Sequence, residues 1–128
     1  MKKVIYTPDA PFSIGPYSQA IEVNGMLFIS GQIAIDPAFQ SLVDGGIREQ
    51  TIQVLKNIDT ILKAAGYERT EVVKSTVLMT NLSDFAEMND IYAQFYVADA
   101  PARAAYEVSR LPLGALIEIE TIAVKASL

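Results

Sequence analysis

The run Leu116–Lys125 carries apolar side chains on both of its faces, and no other stretch constrains the fold as much. Side chains alternate along a strand, so Ile117, Ile119 and Ala123 share one face while Ile122 and Val124 take the other. A sheet built around such a strand must be covered twice. Only two stretches have the helical period needed to cover it. Ile47–Ala65 places Ile47, Thr51, Val54, Leu55, Ile58, Ile61, Leu62 and Ala65 at three-and-four spacing. A second helix opens at Ser83-Asp84, with Asp84 and Glu87 at its positive end and Phe85, Met88, Ile91, Tyr92, Phe95 and Tyr96 as its apolar face. Two helices cover one face of a sheet. The other face is expected to meet a second copy of the chain.

The remaining strands read as Val4–Tyr6, Ser18–Val23, Met26–Ser30, Val72–Thr80 and Ala102–Ser109. Asn24-Gly25 suits the positive φ angles of a two-residue type I′ hairpin turn. Asp36–Gly46, rich in Pro, Ser, Asp and Gly, reads as a loop. The order β-β-β-α-β-α-β-β over 128 residues, without a repeat or linker, predicts a single α+β domain spanning 1–128.

Composition narrows the chemistry. The chain has neither Cys nor His, which removes disulfides, thiol nucleophiles, zinc clusters, Ser-His-Asp triads and imidazole proton shuttles. No metal or cofactor is expected. With 10 Lys and Arg against 15 Asp and Glu, the net charge of −5 argues against a nucleic-acid partner. Thr7, Pro8 and Asp9 interrupt Val4-Ile5-Tyr6 at once, and no run approaches the ~18 apolar residues of a membrane span. A soluble cytoplasmic protein with no membrane partner is the expectation.

Three local features stand out. Gly15-Pro16 sets a turn with Tyr17 at its exit, either a loop anchor or a group facing a ligand. Ser30-Gly31-Gln32 ends a strand with a glycine that permits close approach. Pro101-Ala102-Arg103-Ala104-Ala105 opens another strand, with Arg103, Ala105 and Glu107 sharing one face. A guanidinium among small residues can grip a carboxylate bidentately; the alternative is an ion pair with Glu107, Glu118 or Glu120. Glu118 and Glu120 project from one face about 6.6–7 Å apart, beside Ile122 and Val124. There they form either a solvated edge or a carboxylate whose pKa is raised to suit a base.

Taken in order, Ile14-Gly15-Pro16-Tyr17-Ser18-Gln19, Ser30-Gly31-Gln32, Asn89, Tyr92, Phe95-Tyr96, Pro101-Ala102-Arg103, Leu111-Pro112 and Ile117-Glu118-Ile119-Glu120 resemble the RidA/YjgF family of enamine/imine deaminases across essentially the whole chain. The resemblance implies a chorismate-mutase-like fold, with a six-stranded mixed sheet and two helices packed on one face. It implies assembly as a homotrimeric barrel with sites between subunits. It further implies hydrolysis of 2-iminobutanoate and 2-iminopropanoate to 2-keto acids and ammonia. Arg103 would hold the substrate carboxylate, Glu118 the water, and Tyr17 and Ser30 would line the pocket. Gly31 and Ala105 would contribute backbone contacts, and Asn89 would join the substrate-binding set. Many family members have Cys where Ala105 stands, so a thiol-dependent side activity is excluded here. Ribonuclease or translation-inhibitor activity, also attributed to the family, and non-catalytic binding of small carboxylates are the alternatives.

Overall fold

The computed structural model describes residues 1–126. Eight strands and two α-helices follow in the order β1 (Lys3–Ile5), β2 (Ala20–Val23), β3 (Met26–Gln32), β4 (Ile35–Asp36), β5 (Ser41–Leu42), α1 (Ile47–Ala64), β6 (Val72–Met79), α2 (Phe85–Phe95), β7 (Ala102–Glu107) and β8 (Ile117–Val124). Six of the strands form one mixed sheet in the order β1-β2-β3-β8-β6-β7. The terminal strand β8 inserts between β3 and β6, antiparallel to both, while β6 and β7 run parallel on either side of α2. The α+β expectation of a six-stranded mixed sheet with two helices is met.

The helices cover one face. From α1, Val54, Leu55, Ile58, Ile61 and Leu62 are buried, and from α2, Met88, Ile91 and Tyr92. They pack with Leu27, Ile29, Val77, Met79, Ile117, Ile119 and Ala123 of the sheet in one core cluster. The opposite face of the sheet stays open. One row of register partners crosses its full width through Val4, Ile21, Phe28, Ile122, Lys74 and Ala102. Val4 is 59% exposed, and Phe28 and Tyr106 are also exposed. A bare apolar sheet face of this extent is a surface waiting for cover.

Several boundaries differ from expectation, each for a local reason. The predicted loop 36–46 overlaps the β4–β5 hairpin, whose strands are too short to show any period. Its turn is closed by the Asp36 carboxylate, which accepts a hydrogen bond from the Ala38 amide at 2.9 Å. Before α2 a 3₁₀ turn covers Leu82–Asp84, and its cap is Asn81, whose Oδ1 accepts from the Ser83 amide; α2 itself starts at Phe85. The Asn24-Gly25 turn has both φ angles positive, at 51° and 73°, as a type I′ turn requires. The third strand continues past Ser30 to Gln32, with a register irregularity between Ile29 and Gln32 that holds Ser30 and Gly31. No helix among the described residues is long and apolar enough to cross a membrane.

Candidate active site: two groups of residues on opposite sheet faces

The open face carries the first group. A cleft of about 450 Å³ is lined by residues including Phe12, Ile14, Tyr17, Gly31, Pro112 and Glu118. Its wall is the segment between β1 and β2, and buried Gln19 holds that segment in place. The Gln19 side-chain amide donates to the carbonyls of Thr7 and Pro11 at 3.0 and 2.9 Å, and its oxygen accepts from the Thr7 amide at 2.8 Å. Three bonds from one buried side chain fix a segment that has no secondary structure of its own. Tyr17 is exposed, not a buried anchor, and its hydroxyl accepts from the Ile14 amide at 3.3 Å. Ser30 Oγ donates to the Ser18 carbonyl at 2.6 Å, tying the β3 end to the same segment.

Gly31 and Glu118 meet across the irregular register of β3 and β8. A Cβ built on Gly31 would lie 2.0 Å from Glu118 Oε2 and 2.8 Å from its Cδ. Only a residue without a side chain lets the carboxylate lie against the backbone there. The half-exposed Glu118 takes part in no hydrogen bond or ion pair among the described residues. Burial, and then the nearby Glu120 charge, push its carboxyl above the ordinary 4.5. Gly31→Ala is therefore expected to fold, because the end of the Glu118 side chain can swing aside, but to lose most turnover by displacing that carboxylate. Circular dichroism beside a steady-state assay checks this; full activity in Gly31→Ala contradicts it.

The second group sits on the helix side of the sheet. Arg103 and Ala105 pair in register with Ser75 and Val77 of β6, both of which point into the core. Ala105 packs against the main core cluster. Arg103 Nη1 donates to Asn89 Oδ1 of α2 at 2.8 Å, and its guanidinium lies 5.3 Å from the Phe85 ring centre and 4.9 Å from that of Tyr92. The internal ion pair weighed from sequence does not form. Among the described residues the salt bridges are Arg48–Asp90, Lys63–Asp59 and Arg69–Asp59. Glu107 instead accepts from the Leu82 amide at 2.9 Å.

The expected site residues thus fall into two sets. Tyr17, Ser30, Gly31 and Glu118 share the open-face cleft, and Asn89, Arg103 and Ala105 share the β7–α2 side. Strand β6 separates β7 from β8, which places the two backbones about 9–10 Å apart. Arg103 and Thr121 both align with Ser75, whereas Glu118 aligns with Leu78, adding a stagger of about 10 Å along the strands. The two side chains also point to opposite faces. Within one chain they cannot touch the same small molecule.

Sequence reasoning missed the anchors Gln19, Gln50 and Asn57. Gln50 accepts from the Leu116 amide and Asn57 donates to the Ile35 carbonyl, each joining α1 to a chain segment beside the cleft. Their one signal is a polar residue interrupting or flanking an apolar stripe.

The family profile described as Endoribonuclease L-PSP matches residues 7–125. The 2-iminobutanoate/2-iminopropanoate deaminase of Homo sapiens is 50% identical over 128 residues, covering 100% of this chain and 93% of that protein. Among solved structures, a Yersinia pestis protein of the conserved Rid family superposes with a TM-score of 0.93 at 50% identity, covering 98% of this chain and 100% of that one. E. coli TdcF with bound serine superposes at 0.93 with 38% identity, over 97% of this chain and 99% of that one.

Proposed function

The chain belongs to the RidA/YjgF, or endoribonuclease L-PSP, family, and from that membership we propose that it is an imine deaminase, a hydrolase converting 2-iminobutanoate and 2-iminopropanoate to 2-keto acids and ammonia. The observation carrying this reading is 50% identity to a 2-iminobutanoate/2-iminopropanoate deaminase over the whole of this chain.

The site is assembled from two copies of the chain. The apolar open face of one copy is covered by another, and that contact brings the β7–α2 edge of one to the open-face cleft of its neighbour. The family resemblance implies three copies and three such clefts. Two observations support a shared site: neither half is complete alone, and the uncovered row from Val4 to Ile122 is too apolar for an isolated chain. The bound serine of the TdcF structure is, like the proposed substrate, a small molecule with a carboxylate.

In the assembled cleft the Arg103 fork holds the substrate carboxylate, and the apolar wall of Phe12, Ile14 and Pro112 faces its alkyl group. A protonated C=N carbon is already electrophilic. Glu118 holds a water over that carbon and takes one of its protons as the C–O bond forms and the C=N pair moves to nitrogen. Glu118 passes that proton to the amine, then takes the remaining hydroxyl proton as the oxygen pair forms the C=O bond and the C–N bond breaks, so that ammonia leaves and the neutral carbonyl remains. No step needs imidazole, thiol or metal. Tyr17, Ser30 and the Gly31 backbone complete the pocket, and Ala105 contributes through its backbone. RNA is a poor fit, because the chain carries a net charge of −5 and has no His to act as the general base for its cleavage.

Ammonia release from imines generated in situ by an amino-acid oxidase tests the activity, and absence of any acceleration contradicts it. Light scattering on the same sample is expected to give three times the 13.9 kDa chain mass. A species of 13.9 kDa that still turns over would refute the shared site.

A further inference from the structure

The reading of Arg103 as the carboxylate clamp raises the question of what holds the clamp without consuming it. A half-buried guanidinium is ordinarily neutralised by a carboxylate. Here α2 presents Phe85, Asn89 and Tyr92, four and then three residues apart and so on one helix face, and all three meet Arg103. Two are aromatic rings and the third is a neutral amide. The rings attract the cation through their quadrupoles, and Asn89 Oδ1 accepts one N–H without adding charge. Four of the five guanidinium donors remain for an incoming anion.

We propose that the Phe85–Asn89–Tyr92 face of α2 is a charge-neutral positioning cradle that fixes the Arg103 fork while leaving its full positive charge for the substrate carboxylate. Phe85 and Tyr92 are positioning residues for the reaction. Asn89 acts through the arginine, so its place is beside the clamp and not on the substrate. A carboxylate at residue 89 would sit within ion-pair distance of the guanidinium and compete with the substrate for it. Tyr92 meets Arg103 with its ring, and its buried hydroxyl has no hydrogen bond to the guanidinium among the described residues.

The test is a set of full-length, assembled variants assayed for imine hydrolysis and titrated with 2-oxobutanoate, with oligomeric state and melting temperature recorded. Asn89→Asp is expected to raise KM and weaken 2-oxobutanoate binding at least tenfold. Asn89→Leu, which leaves the charge unpaired, is expected to do so only a few-fold. Phe85→Leu and Tyr92→Leu are each expected to raise KM several-fold with a smaller change in kcat, and Tyr92→Phe to restore wild-type KM within twofold. Should Asn89→Asp bind 2-oxobutanoate as well as Asn89→Leu, the charge argument is overturned. Should Tyr92→Phe be as impaired as Tyr92→Leu, the ring is not the contact that matters. Arg103→Ala measured alongside separates the two levels. If it is inactive while the α2 variants are normal, the cradle alone is wrong; if it is fully active, the clamp itself is wrong.

Discussion

Replacing Arg103 by Ala is expected to lower kcat/KM for 2-iminobutanoate by about 10²- to 10⁴-fold, with assembly and fold unchanged. That range follows from two charge-assisted hydrogen bonds to the substrate carboxylate at about 1.5–3 kcal/mol each. The fold should survive because Arg103 forms one side-chain hydrogen bond, to Asn89, and joins no ion pair among the described residues. Arg103→Lys should recover little, since an ammonium keeps the charge but not the planar fork. Steady-state kinetics and 2-oxobutanoate binding check both variants together. Wild-type turnover in Arg103→Ala would reject the clamp.

Glu118→Gln carries the second large expected effect. If Glu118 holds the water and takes its proton as proposed, its loss should cost about 10²-fold or more in kcat, with substrate binding retained. The pH dependence follows from the direction of the Glu118 shift. Because its carboxyl is raised above 4.5, wild-type kcat/KM should fall as pH drops through a value above 4.5, and Glu118→Gln should lack that acidic limb. Stability moves the other way. A carboxyl raised by folding favours the folded state while protonated, and that contribution disappears as pH rises from its unfolded value through its folded one. Glu118→Gln should therefore melt higher than wild type at neutral pH and converge with it in acid. A melting temperature below wild type at pH 7 would contradict the burial of this charge beside Glu120.

Much of the proposed site is legible in the sequence, though not the placing of its residues on two faces of the sheet. Alternation placed Arg103 with Ala105 and Glu118 with Glu120 correctly along their own strands, because a period of two is a local property. Whether two strands aim their marked residues at the same face depends on register. Register across β8, β6 and β7 joins segments distant in sequence, and only the folded sheet shows the halves pointing apart. The requirement for glycine at Gly31 has the same origin: its reason is Glu118, on another strand. The anchoring roles of Gln19, Gln50 and Asn57 escaped notice because their partners are backbone groups that only the tertiary fold brings near. The bare apolar face, by contrast, was readable from Ile122 and Val124 alone. Burial on both sides of a strand leaves its mark on every second residue.

The most direct test of a shared site mixes two dead proteins. Arg103→Ala and Glu118→Gln, each inactive alone, are unfolded together in equal amounts and refolded into mixed assemblies. If each site takes its arginine from one chain and its glutamate from the next, about a quarter of the sites in a random mixture contain both wild-type residues. Turnover should then return to about a quarter of the wild-type value. Mixed assemblies that stay as inactive as their parents would mean that both residues must come from one chain, and a site shared between copies would be refuted.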